Sequence, residues 1–418
     1  MTSTPDHANS HRTVNSDRTV NSDRSTARIA VIGGGLEGLA TAWALAERGE
    51  TDVLVLERAT VCSGMTAKSS GIVRCHYGVP TLAAMAHYGT QIFDAAQDVL
   101  GTDIGFHRTG YVVGVGDENV TALDTNLAMH RDLGIDATRI NEDSVHELWP
   151  GLDTATFAAF AHEPNGGHGD AYLTGTAFAA AARRAGIRIR QNTLVTALTT
   201  AADGTVTGVR CTGGDEISCD TVVLANGVWS PHLAEQVGVA LPIRAQREAI
   251  LLVDRGEPTR DVPVFSDLVN LQYLRGEPNG ALLVGNSDHS TPEFADPDGY
   301  LDRATDNVVT YGIERLMALL PDMPDPRLAS SYAGCYDVTP DYNPIIGPSP
   351  VPGLFLAVGF SGHGFKISPA VGRLAADLLL DGVSSDPAVD ASVFRYSRFD
   401  EGRPLVSDNP YVGAGEMR

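Results

Sequence analysis

The sequence predicts an α/β protein of two interleaved domains: a discontinuous Rossmann-like domain, and an inserted α+β domain built on an antiparallel sheet. Three observations carry this reading. A strand, a glycine-rich turn, a helix and a second strand follow one another between Arg28 and Glu57. Segments of the same kind return late in the chain, at residues 220–229 and again from Gly353. Between them stand strands with no interleaved helices, which argues for antiparallel neighbours, because parallel ones need long crossovers. A chain of 418 residues, 43% apolar and 20% charged, has the composition of an ordinary globular protein with room for both domains.

Residues 1–27 are polar and contain RTVNSD twice in tandem, at 12–17 and 18–23. They read as a disordered tail without the apolar stretch of a signal peptide. From Arg28, RIAVI is a buried strand, 33–38 a glycine turn, 39–48 an alanine-rich helix and DVLVLE a second strand. Further on, FHRTGYVVGV, REAILLVD and GALLVG read as strands, and 120–133, 174–185 and 306–320 as helices. DTVVLANGVW and GLFLAVGFSGHGFKISPAVGRLAADLLLDG then resume the first pattern, the last helix running from about Ser368 to Leu380.

Composition excludes several functions. Thirty basic against 52 acidic residues leave a net charge of −22, which repels nucleic acid and anionic lipid, and no apolar run is long enough to span a membrane. Cys62, Cys75, Cys211, Cys219 and Cys335 show neither CxxC nor Cys/His spacing, so the reading is a reducing cytoplasm without a disulfide framework. No metal is expected: His76, His289 and His363 lack ligand spacing. Asp170, Asp337 and Asp341 read as turn and capping residues.

The chemistry lies in two glycine turns. Gly33, Gly35 and Gly38 form GxGxxG between strand and helix, with Glu57 closing the next strand. Glycines there admit a pyrophosphate to the helix N-terminus, and the acid accepts from a ribose hydroxyl, disfavouring a 2′-phosphate. FAD or NAD is implied. GFSGHGF, 359–365, places a second glycine turn at a helix start, suited to the charge of a reduced flavin at N1 and C2=O, which selects FAD. Of two lysines in the chain, Lys68 and Lys366, the second starts this helix, where the dipole disfavours a cation by roughly 0.3–1 kcal/mol and an anionic ligand would compensate.

These motifs, together with SSGIVRCHYG, ELWPGL, HEPNGG and YDVTPDYNPIIG, resemble the FAD-dependent amine and amino-acid oxidoreductases of the glycine oxidase and D-amino-acid oxidase superfamily, nearest the sarcosine oxidase branch. The resemblance runs from Arg28 to about residue 390. It implies an FAD domain at 28–84, 162–240 and 329–395, a substrate domain at 85–161 and 241–328, and a C-terminal extension at 396–418. It implies that Arg74 and Lys366 clamp a substrate carboxylate and that Tyr336 stands at the reaction site. The expected FAD contacts are Gly33, Gly35, Leu36, Gly38, Glu57, Arg58, Lys68, Ser69, Ser70, Val195, Gly227, Trp229, Gly362, His363, Gly364, Phe365 and Lys366. The expected reaction is oxidation of the C–N bond of an amino acid carrying a secondary or N-substituted amine, with O2 or another electron acceptor as second partner.

Two departures from the family pattern matter. Gly334 stands where monomeric sarcosine oxidases carry the cysteine that binds FAD covalently, with Cys335 one residue late, so FAD is expected to be non-covalent. Leu283 stands where they place an oxygen-activating lysine, which leaves oxidase and dehydrogenase both open. An NAD-dependent dehydrogenase and a flavin-bearing subunit of a heteromeric complex remain as alternatives.

Overall fold

The structure is a computed structural model that describes residues 25–255 and 261–413; the tandem hexapeptide lies outside the described residues. Two eight-stranded sheets organise the chain. In the first, six strands lie in the order Ile345–Pro348, Leu354–Val358, Glu216–Leu224, Thr26–Ile32, Val53–Leu56, Arg188–Arg190. All pairs but the first are parallel. Val53–Leu56 is buried throughout, as expected of a parallel strand covered on both faces.

Side chains of Thr26–Ile32 divide alternately between two cores. Ile29 and Val31 pack under the helices Leu36–Glu47, Ala171–Arg184 and Gly364–Leu380. Ala30 and Ile32 face a meander in which Val206–Cys211 runs antiparallel both to Val195–Thr200 and to the first part of Glu216–Leu224.

The second sheet has the order Arg327–Val338, Arg244–Asp254, Leu282–Asn286, Gln272–Gly276, Val264–Asp267, Tyr111–Val115, Ala159–Glu163, Thr138–Ile140. It is not wholly antiparallel, since Val264–Asp267 runs parallel to Tyr111–Val115. That is where two separate visits of the chain to the sheet meet. The helix Asp306–Leu319 covers one face through Leu316 and Leu319, against Leu251, Val253, Leu282 and Val284. The other face carries Ile250, Tyr273 and Leu283 against Ile72 of the first domain.

Three details differ from the sequence reading. Arg327–Val338 pairs along its length with Arg244–Asp254, so the second sheet keeps this strand well past the expected boundary at 329. The last helix starts at Gly364, four residues before Ser368, although Pro369 lies inside it. Pro369 cannot donate to the Phe365 carbonyl, and the Ser368 hydroxyl does so instead at 3.0 Å. Residues 396–413 are part of the fold: the fully buried Arg398 grips both oxygens of Asp341 at 2.8 and 2.9 Å, and Tyr411 reaches His76. Among the described residues no helix is long and apolar enough to cross a membrane.

Candidate active site

A cavity of about 1000 Å³ runs between the first domain and the open face of the second sheet. One end is built by the end of Val53–Leu56 and by the turn into Val195–Thr200. There the Glu57 carboxylate accepts from the backbone N–H groups of Gly34 and Ala59, each at 2.8 Å. These bonds fix the acid in the wall while leaving lone pairs for a ribose hydroxyl. Arg58 stacks 3.9 Å over Trp229, and both donate to Asp298 of the second domain at 3.1 Å. Val195 lines the same end.

Towards the middle, Gly33, Gly35 and Leu36 open the first helix into the cavity beside Lys68, Ser69, Ser70 and Gly227. Gly38 is one step removed. A Cβ there would meet the Gly33 carbonyl at 2.1 Å, so its role is close packing of turn on helix. Gly362, Gly364 and Phe365 bring the second turn to the cavity. Part of that turn is already committed to Asp337, whose Oδ2 accepts from Gly359 N at 2.7 Å.

The far end is walled by Gly334, Cys335 and Tyr336 of one strand, Glu248 and Ile250 of its neighbour, and Tyr273. The Cys335 thiol is pushed up to about 11, mainly by burial, which disfavours a thiolate. Leu283 does not reach the lining; it is packed with Ile250 and Tyr273.

Besides Gly38, three expected site residues lie behind the lining. His363 is buried between the Tyr77 hydroxyl at 3.1 Å and the Tyr342 carbonyl at 2.9 Å. Arg74 and Lys366 approach one ring, that of Tyr77, at 4.5 and 5.9 Å from its centroid, and both are buried. Arg74 also donates to the His76 carbonyl. Beside it the fold gathers His76, His130 and Glu163, a potential three-ligand cation cluster invisible to sequence spacing. Burial first, then the Arg74 charge, hold His76 neutral at about 3, and burial lowers His130 to about 4. The guanidinium next to this cluster opposes a dication there.

Sequence reasoning missed Glu37, Asp298 and Glu248 and gave Asp337 only a turn role. Glu37 was open to detection as a carboxyl inside GxGxxG. Asp298 and Glu248 carry no local signal, because only domain packing brings them to the cavity. The donor set fits FAD: a fixed acid at one end, two helix N-termini in the middle and an aromatic wall beyond.

The family described as "DAO: FAD dependent oxidoreductase" matches residues 28–378. The chain is 28% identical to 4-methylaminobutanoate oxidase (formaldehyde-forming) of Paenarthrobacter nicotinovorans, over 93% of this chain and 48% of that protein, so it spans about half of that relative's length. It is 27% identical to sarcosine oxidase subunit beta of Arthrobacter sp, covering 90% of this chain and 91% of the relative. The crystal structure of L-proline dehydrogenase from P. horikoshii superposes with a TM-score of 0.82 at 25% identity, covering 91% of this chain and 99% of that one.

Proposed function

The chain belongs to the DAO family of FAD-dependent oxidoreductases, and from that premise we propose that it oxidises the C–N bond of an amino acid whose amine is secondary or N-substituted. Bound FAD supplies the hydride acceptor. Arg74 and Lys366, standing just behind the lining on the Tyr77 ring, supply the positive charge that draws in the substrate carboxylate, one as a fork of donors and the other as a point charge near a helix N-terminus. Tyr336 and Tyr273 offer the aromatic wall against which the amine is oriented. Loss of the α-hydride and the amine proton leaves an imine that water hydrolyses, so orientation and charge are what the protein provides.

The observation that carries this reading is the pair of buried cations sharing the Tyr77 ring, one of them Lys366, the residue after Phe365 of the lining, in a chain whose net charge is −22. The test is anaerobic bleaching of the bound flavin against a panel of primary and N-substituted amino acids, followed by air. Bleaching by N-substituted members supports the proposal; bleaching by none of the panel contradicts it. A second reading, a flavin-bearing subunit of a larger assembly, is favoured by the near full-length match to a sarcosine oxidase beta subunit. Partner subunits that co-purify and are required for turnover would establish it.

A further inference from the structure

Two carboxyl groups at the waist of the cavity have no part in the reaction above. Glu37 occupies a variable position of GxGxxG, in the first turn of Leu36–Glu47, and lines the cavity. Its Oε1 lies 2.6 Å from where a Cβ on Gly364 would be, so the carboxyl is wedged between the first turns of two helices. Its Oε2 is buried and accepts no hydrogen bond from any described residue. Asp337, on the facing strand, is in the opposite condition: backbone N–H groups of Gly359, Phe360 and Ser361 point at it.

Two neighbouring carboxyls in such different surroundings divide charge unequally. Burial raises both and remains the larger effect at Asp337, but backbone N–H groups there work against it and Glu37 has none, so of the two Asp337 is the better placed to carry the charge. Burial first, and then the charge of Asp337, hold Glu37 well above the usual carboxylate range. An ionised Glu37 would leave one oxygen buried with no donor. It would also stand at the helix terminus that receives a pyrophosphate, where like charges repel. Of the other charged groups on the cavity wall, Glu57 is anchored to Gly34 and Ala59, Arg58 is paired with Asp298, Glu248 stands beside His289 on the second sheet, and Lys68 packs against Gly334.

We propose that Glu37 is a neutral carboxylic acid in the FAD-bound protein, donating a hydrogen bond from between the two helix termini to the oxygen-rich middle of the cofactor. The proposal rests on FAD occupying this cavity. Its consequence is linkage: FAD favours the protonated acid, so binding takes up a proton, and affinity falls as pH rises through the interval between the acid's titration in free and bound protein.

The test is FAD titration of the apoprotein by flavin fluorescence, from about pH 7 to about pH 9.5, above the range of an ordinary histidine. Wild type should weaken by about tenfold or more across this range, whereas Glu37→Gln, which donates but cannot ionise, should bind with little pH dependence. Calorimetry of wild type at the high end of this range, in buffers of different ionisation enthalpy, gives a second readout that needs no variant, and should show net proton uptake on binding. Tight, pH-independent binding by wild type without proton uptake overturns the proposal and leaves the FAD site intact. A wild-type slope that persists in Glu37→Gln also overturns it. Failure to bind FAD at every pH contradicts the cavity assignment itself.

Discussion

Lys68 and Gly334 pack so closely that a Cβ added to Gly334 would lie 2.7 Å from the Cβ of Lys68. A cysteine at 334 therefore has no room while Lys68 holds its place, and the sulfur of Cys335, one residue on, belongs to a buried, protonated thiol. FAD should be released on acid precipitation, leaving a colourless pellet. A yellow pellet would show a covalent bond. Gly334→Cys should lower stability by about 1–3 kcal/mol through overpacking, measured as a shift in the denaturation midpoint.

Arg74 and Lys366 face one tyrosine ring from different elements. Replacing either with alanine should weaken a simple carboxylate inhibitor by about 1.5–3 kcal/mol, the range for hydrogen bonds to charged groups. Because Arg74 lies off the cavity lining, Arg74→Ala should keep its FAD. Spectral titration of the two variants measures both effects, and unchanged affinities would remove the clamp.

Glu57 is bonded to Gly34 and Ala59 at 2.8 Å. Glu57→Arg removes two charge-assisted bonds from the turn and the acceptor for the ribose, so the purified protein should be colourless and less stable, with no gain of NADP use. Normal flavin content would show the acid to be dispensable.

Leu283 is 1% exposed in an apolar cluster with Ile250 and Tyr273, and its cross-strand neighbour Arg275 already donates to the Ser70 carbonyl at 2.6 Å and pairs with Glu277. A cation beside reduced flavin would favour charge formation on oxygen. Without one at Leu283, air should reoxidise the protein more slowly than an artificial acceptor does. Leu283→Lys should speed the oxygen step and cost stability, since it buries a charge. Equal rates for both proteins in stopped-flow would make the position irrelevant.

The first domain was legible because its signals are local. A glycine turn between a strand and a helix, with an acid closing the next strand, fixes the positions of Gly33, Gly35 and Glu57 within thirty residues, and all line the cavity. The second turn has the pattern of a flavin nest, but its Gly359 N–H is taken by Asp337, a residue more than twenty positions earlier. No local pattern announces that contact. Residues 396–413 are equally opaque: the bond between Arg398 and Asp341 depends on how this segment folds back, which neither residue's neighbours encode. The same holds for His76, His130 and Glu163, brought together from three elements by packing alone.

The central claim, that buried Arg74 and Lys366 select an amino acid over a plain amine, is tested most directly by one comparison. Anaerobic flavin reduction is followed with an N-methyl amino acid and with the same amine lacking its carboxylate. The amino acid should reduce the flavin at least about a hundredfold more efficiently, as loss of two charged hydrogen bonds requires. Equal reduction by both compounds would contradict it.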